Sequence, residues 1–194
     1  MHRTSAKFFL EDSDSLDQAR LIDIFHEWIR EKKIDGLPID VADYRHVPEG
    51  PGVMLVGHEF DVALDSTDGR TGLCYTLKRN PDVQLEAALR RVLLGALRAC
   101  RLLEEDARFG ARFSSGEVVL TILDRLQAPN DDPSFKKLSG AAGEILAELY
   151  GSTPAVIARQ KVDDRRPLTL VATAACSEPI RALLDRLEAT EAAT

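Results

Sequence analysis

The sequence predicts an α+β domain in which a mixed β-sheet of about six to eight strands is braced by three to four helices. Three observations lead there. Short runs alternate at period two, as Phe60, Val62 and Leu64 do against Asp61, Ala63 and Asp65. Longer runs repeat at helical spacing, as do Leu85, Leu89, Val92, Leu93, Ala96, Leu97, Cys100 and Leu103. Clusters of Pro, Gly, Asn and Asp separate the two kinds of run.

Lys7 to Leu10 reads as a first strand, closed by the turn residues Glu11-Asp12-Ser13-Asp14. Ser15 with Gln18 fits a capping box, and Leu21, Ile22, Phe25, Trp28 and Ile29 make a helix over about 16–33 that ends near Gly36. Leu37 to Tyr44 reads as a strand, Pro48-Glu49-Gly50-Pro51-Gly52 as a turn and Val53 to Val56 as a strand apolar on both faces. A hairpin follows from Phe60 to Lys78 around Asp68-Gly69.

Asn80-Pro81-Asp82 places an N-cap, a first-turn proline and an acid in sequence, starting a second helix that runs to about Arg108. Glu117 to Leu126 reads as a central strand. Asp132-Pro133 opens a third helix with core residues Phe135, Leu138, Ala142, Ile145, Leu146 and Leu149, closed by Gly151. Ala155–Val162 and Leu168–Ala174 form a hairpin around Asp163-Asp164-Arg165-Arg166-Pro167, and a last helix opens at Ser177. The tail from 190 to 194 is expected to fray.

At 194 residues the chain suits one domain that buries roughly 70% of its unfolded surface. It divides into a strand–helix–strands–helix half over 1–112 and a second over 113–190, and pseudo-symmetry between them is a further expectation. The strand–helix–strand connections predict that part of the sheet is parallel.

Twenty-five Lys and Arg against 32 Asp and Glu give a net charge of −7, which opposes binding to nucleic acid, since that needs a clustered positive field. Cys74, Cys100 and Cys176 are odd in number and widely spaced, so neither a disulfide framework nor a thiolate zinc site is expected. Residues 1–10 lack the features of a signal peptide and no apolar run nears the roughly 18 residues that span a bilayer. The expectation is a cytoplasmic protein without a membrane partner.

The densest chemistry lies in residues 37–60, where Asp40, Asp43, Tyr44, Arg45, His46, Glu49, His58 and Glu59 surround the Pro/Gly turn. Imidazole and carboxylate are the usual ligands of zinc, manganese or iron, so His46 and His58 are candidate metal ligands if the two strand ends meet. Without a metal, Asp43 or Glu59 could serve as base and His58 as acid, while Tyr44 or Arg79 holds an anionic substrate. The plainer reading pairs Asp43 with Arg45 at the surface. Asp40, Tyr44, His46 and Arg79 are therefore ligand-binding candidates. Arg125 and Asn130 join them at the exit of a central strand, where ligands often bind in open sheets.

Cys176, just before the last helix, is a candidate reactive thiol or a small buried residue. Gly50-Pro51-Gly52 lacks the lysine and hydroxyl of a P-loop, and Gly140-Ala141-Ala142-Gly143 falls within one helix, where packing explains it better than nucleic-acid clamping. Trp28 and Phe25 read as core.

The run Ile39-Asp40-Val41-Ala42-Asp43-Tyr44, with Gly50-Pro51-Gly52-Val53, Gly57-His58-Glu59, Leu123-Asp124-Arg125-Leu126 and Ala128-Pro129-Asn130, is similar to a group of bacterial proteins of about this length with no assigned function. The resemblance covers nearly the whole chain and implies a bacterial, cytoplasmic domain. It carries over no activity, cofactor or catalytic residue. With no mechanism-bearing motif in the sequence, the expected function is a non-catalytic module, a homodimer that binds a partner protein or a small molecule. The alternative is a small hydrolase or isomerase, metal-dependent or not, with a pocket built from the 40–59 segment.

Overall fold

A computed structural model of the chain describes residues 3–12, 16–48, 50–79, 84–160 and 165–192. In chain order its elements are β1 (Thr4–Leu10), α1 (Arg20–Glu31), β2 (Pro38–Tyr44), β3 (Gly52–Gly57), β4 (Phe60–Asp65), a 3₁₀ turn (Thr67–Gly69) and β5 (Gly72–Leu77). There follow α2 (Leu85–Glu105), β6 (Phe113–Ile122), α3 (Asp132–Tyr150), β7 (Ala155–Arg159), β8 (Leu168–Ala174) and α4 (Ile180–Ala192). The strands make one eight-stranded sheet in the order β2-β3-β4-β5-β1-β6-β8-β7. The protein is thus α+β, as the patterning predicts.

All the strand pairings are antiparallel, so the expected parallel share is not formed. The connections explain this. α1 carries the chain from central β1 to the edge at β2, and the meander β2-β3-β4-β5 then steps back until β5 lies against β1. α3 does the same on the other side, from β6 out to β7, and β8 returns to pair with β6. Both halves follow one path, and they join through the β1–β6 pair at the centre.

The helices cover one face. α2 lies over β5 and β1, α1 over β2 and β3, and α3 over β8 and β7, while α4 rests against α2 and α3. Period-two alternation sends Ala6, Phe8, Leu73, Tyr75, Leu77, Val118, Leu120, Leu170 and Ala172 under them, all buried. Leu89, Val92, Leu93, Ala96, Leu97 and Cys100 of α2 meet these residues as one core with Trp28 and Phe25. Each such leucine contributes about 1.5–3 kcal/mol relative to its exposed state.

Several element bounds differ from the sequence expectation. Helix α1 begins at Arg20 rather than near residue 16, because the Asp17 carboxylate first takes the Ala19 N–H at 3.0 Å in a local turn. It stops when Lys32 adopts the left-handed conformation with φ 53°. Strand β6 starts at Phe113, ahead of the Ser/Gly stretch that disguised it. Pairing with Leu10 and the Ser115 hydroxyl bonded to the Cys176 carbonyl at 3.3 Å override local propensity there. α4 opens at Ile180, just after Pro179, rather than at Ser177, and continues to Ala192 across the start of the tail expected to fray. Asp131 caps α3 by accepting the Ser134 N–H at 2.9 Å, as its sequence predicts. The proposed caps at Ser15 and Asn80-Pro81-Asp82, Glu49, and the turn at Asp163-Asp164 lie outside the described residues.

Gly72 marks the tightest crossing in the sheet. It pairs with Phe9 beside the irregularity in β1, and a Cβ there would stand 2.4 Å from the Phe8 carbonyl oxygen and 3.0 Å from Phe9 Cα. Backbone on both sides cannot yield without opening the β1–β5 ladder. Gly72→Ala is expected to destabilise the fold by about 2 kcal/mol or more, read from the midpoint shift in urea denaturation.

Candidate functional site

The segment 37–60 does not gather its chemical groups. His58 follows β3, where its N–H donates to Leu37 at 2.8 Å, whereas His46 follows Tyr44, which pairs with Gly52 at the other end of the same hairpin. Seven extended residues separate these ends, roughly 20 Å. The two histidines therefore cannot share a metal within one chain. Among the described residues no group of three or more His, Cys, Asp or Glu side chains converges as metal ligands would.

The remaining candidates are paired locally. Asp43 accepts from Arg45 Nε at 2.9 Å and Nη2 at 2.7 Å, and this side-chain pairing, with the Arg45 N–H, holds its carboxyl down at about 2. A carboxylate so committed is a poor base. Asp40 and His46 are exposed, and Tyr44 sits with its ring centroid 6.4 Å from that of His46. Arg79 Nη1 lies 3.2 Å from His58 Nε2 at the surface. Asn130 is buried and acts in packing: its Oδ1 accepts from Arg159 Nε at 2.9 Å, and its carbonyl takes a second bond from the same guanidinium, tying α3 to β7. Arg125 is exposed in the turn beside Leu126, which is 97% exposed.

Glu59 alone among the candidates enters a real concavity. A cleft of about 510 Å³ opens between the end of α1 and the outer side of α2, lined by Lys33, Ile34, Asp35, Gly36, Glu59, Phe60, Tyr75, Arg91, Leu94, Gly95, Arg98, Arg101 and Leu102. Spacing on α2 builds its wall. Arg91, Arg98 and Arg101 with Leu94, Gly95 and Leu102 fall on one flank of the helix, beside the apolar stripe that faces the sheet.

Two glycines shape this cleft. Gly36 takes φ 94°, a conformation that L side chains resist, and a Cβ there would meet Phe60 Cε1 at 2.9 Å. Gly95 lets the Tyr75 ring lie against α2, since a Cβ would stand 2.5 Å from Tyr75 Cζ. Tyr75 stacks on Phe60 with centroids 5.3 Å apart and planes 6° from parallel, forming the floor.

Four cationic side chains face two carboxylates across the cleft. Arg91 bonds Glu59 at 2.8 Å, and Arg98 bonds Asp35 at 3.2 Å and Glu188 of α4 at 2.9 Å. The Lys33 ammonium binds Glu27 and lies 3.2 Å from Glu31, contacts that raise its pKa and fix its charge. Arg101 is only loosely held: its Nε is 3.7 Å from Glu105, and that buried nitrogen has no hydrogen-bond partner. Burial pushes the Tyr75 phenol up to about 12, so at neutral pH it remains a donor.

A second hollow of about 500 Å³ lies on the open face of the sheet, between the Thr67–Arg70 turn and the start of β8. Its floor carries Lys7, 8% exposed, which donates to Asp65 at 2.7 Å. Thr76, Ser5, Thr121 and Thr169 form one cross-strand row of hydroxyls beside it, with Thr121 and Thr169 bonded at 3.2 Å. Arg70 covers the Phe9 ring at 3.7 Å and is held by Glu117 at 2.8 Å. These charges are satisfied by one another, unlike Arg101 in the cleft.

Comparison of the chain with family models, curated proteins and solved structures returns no match. Sequence reasoning missed Arg91, Arg98 and Arg101 because their signal is a face shared along α2, weaker to the eye than a dense local segment, and it missed Lys33 and Tyr75 because folding alone brings the end of α1 and β5 to that face.

Tyr75 gives the site a pH signature. Its native pKa of about 12 lies above the ordinary 10.0, so the folded state keeps a proton that the unfolded state releases between those values. The stabilisation is complete below about pH 10 and is lost as pH rises toward about 12. Denaturation across that window should show stability falling by about 1 kcal/mol per pH unit from this group, and Tyr75→Phe should flatten the slope.

Proposed function

We propose that the protein is a non-catalytic binding module that takes a small organic anion into the cleft between α1 and α2. The observation that carries this reading is the convergence of Lys33, Arg91, Arg98 and Arg101 on one concavity, in a chain whose net charge is −7. Four cations against the two carboxylates of the lining, Asp35 and Glu59, leave the cleft wall net positive, which raises the local concentration of anions. A carboxylate or phosphate head is recognised by the guanidinium forks, of which Arg101, 3.7 Å from Glu105, is the least committed to a carboxylate of its own chain. The body of the ligand lies against Ile34, Leu94 and Leu102.

The same groups argue for binding over catalysis. Arginine stays protonated at any working pH, and the Tyr75 phenol does so well past neutrality. Asp35 and Glu59, the carboxylates of the cleft, already hold Arg98 and Arg91. The cleft thus presents donors and fixed charge, with no free base or activated nucleophile among its lining residues. Among the described residues no helix is long and apolar enough to cross a membrane.

Isothermal titration with phenyl phosphate, compared with phenol and with inorganic phosphate, tests the reading. The expected order is phenyl phosphate tightest, inorganic phosphate weaker and phenol undetectable, with affinity falling as salt rises. Arg101→Ala is expected to weaken phenyl phosphate about tenfold with an unchanged melting temperature, since one charged hydrogen bond is worth roughly 1.5 kcal/mol or more. Equal binding of phenol, or an unaltered Kd in Arg101→Ala, would refute the site.

A further inference from the structure

We infer that the protein forms a two-fold dimer by antiparallel pairing of β7 with β7 of a second copy, joining two sheets edge to edge. The two sheet edges differ in kind. At β2 the edge carries Pro38, Asp40 and Asp43 and a register irregularity between Pro38 and Asp40, all of which discourage a further strand. At β7 the edge reads Ala155-Val156-Ile157-Ala158-Arg159, with no proline, acid or irregularity, and Val156 is 67% exposed. Its one charge, Arg159, is bound to Asn130 and Asp132.

The register names the partner. Gln160 N–H donates to Thr169 at 3.0 Å, which makes Gln160 and Thr169 a hydrogen-bonded pair of the β7–β8 ladder. Antiparallel alternation then turns the backbone groups of Ala158 and Val156 toward β8 and those of Ala155, Ile157 and Arg159 off the edge. These three outward positions are symmetric about Ile157. A second β7 set antiparallel pairs Ile157 with Ile157 and Ala155 with Arg159, and every outward N–H and C=O finds its complement. A self-complementary edge of this kind is what a two-fold interface requires.

Helix α3 supplies an independent observation. Gly140 and Gly143 lie within α3, where glycine weakens a helix, yet a Cβ at either would meet nothing within 4 Å of its own chain. Packing inside the chain therefore gives no reason for them. Gly143 and Ala147 border a hollow of about 380 Å³ that reaches Ile157 and Ala155. Pairing at β7 brings the second copy's Ile157 and α3 to this hollow, and the missing side chains leave the room that two helices need to approach.

Sedimentation velocity over a micromolar dilution series, with thermal melting of each variant, tests the interface. The wild type is expected at twice the chain mass. Gly143→Arg fills space that is open in a single chain, so it is expected to fold with an equal or higher melting temperature and to sediment as a monomer. Ile157→Pro removes an outward N–H of an edge strand together with a side chain that packs against the core, so it is expected to be monomeric with a lowered melting temperature, while Ile39→Lys at the opposite edge leaves the dimer intact. A monomeric wild type, a dimer that survives both Gly143→Arg and Ile157→Pro, or a dimer lost in Ile39→Lys alone would overturn the inference. This proposal does not depend on the anion site.

Discussion

The antiparallel pairing of β1 with β6 is the constraint on which the rest of the molecule depends. Thr4 through Phe8 run against Val118 through Ile122, and each strand is the first of its half. Because both halves begin at the centre, each must cross to an edge by a helix and return by a meander. That requirement places the helices on one face, makes the pairings antiparallel and leaves β2 and β7 as edges. The helix-side residues of the pair, Ala6, Phe8, Val118 and Leu120, are fully buried, so the seam between the halves is also the middle of the core.

Helix α2 turns that constraint into a site. It must lie over β5 and β1 to cover the seam, and its buried stripe fixes its rotation about its own axis. Once the stripe is fixed, Arg91, Arg98 and Arg101 have one direction left to point, toward the end of α1. Ion pairs tie down the surroundings: Arg90 to Glu148 on α3, Arg98 to Glu188 on α4, and Arg108 to Glu27 on α1. Pairs this open to solvent, half-buried or exposed, add little stability singly. Their effect is positional, since they hold the helices at the distances that keep the cleft open. The cationic wall is thus a by-product of core packing, and no loop has to order before a ligand is met.

Element types were legible because burial imposes periodicity, and the stripe of α2 or the alternation in β4 can be read at a glance. Register and neighbours were not legible. Pro38, Asp40 and Asp43 suit an edge strand, but nothing local to Ile39–Tyr44 tells that the ends of β2 are separated by the full length of the hairpin, and the density of His, Asp and Glu there misled for that reason. The start of β6 was hidden by Ser114, Ser115 and Gly116, which read as a loop until a central partner strand is given to them. The site residues Lys33, Tyr75, Arg91 and Arg101 come from three elements far apart in the chain and meet only after folding. Of the earlier candidates Glu59 reaches the cleft, and it does so as the partner of Arg91.

A map of where an anion binds tests the cleft directly. Amide chemical shifts of the ¹⁵N-labelled protein should be followed during titration with phenyl phosphate. Fast-exchange shifts are expected at Gly36, Tyr75, Gly95, Arg98 and Arg101, which bound the cleft. Shifts centred on Asp43 and His46, shifts centred on the open face around Lys7 and Thr121, or no shifts at saturating probe would contradict binding in the cleft.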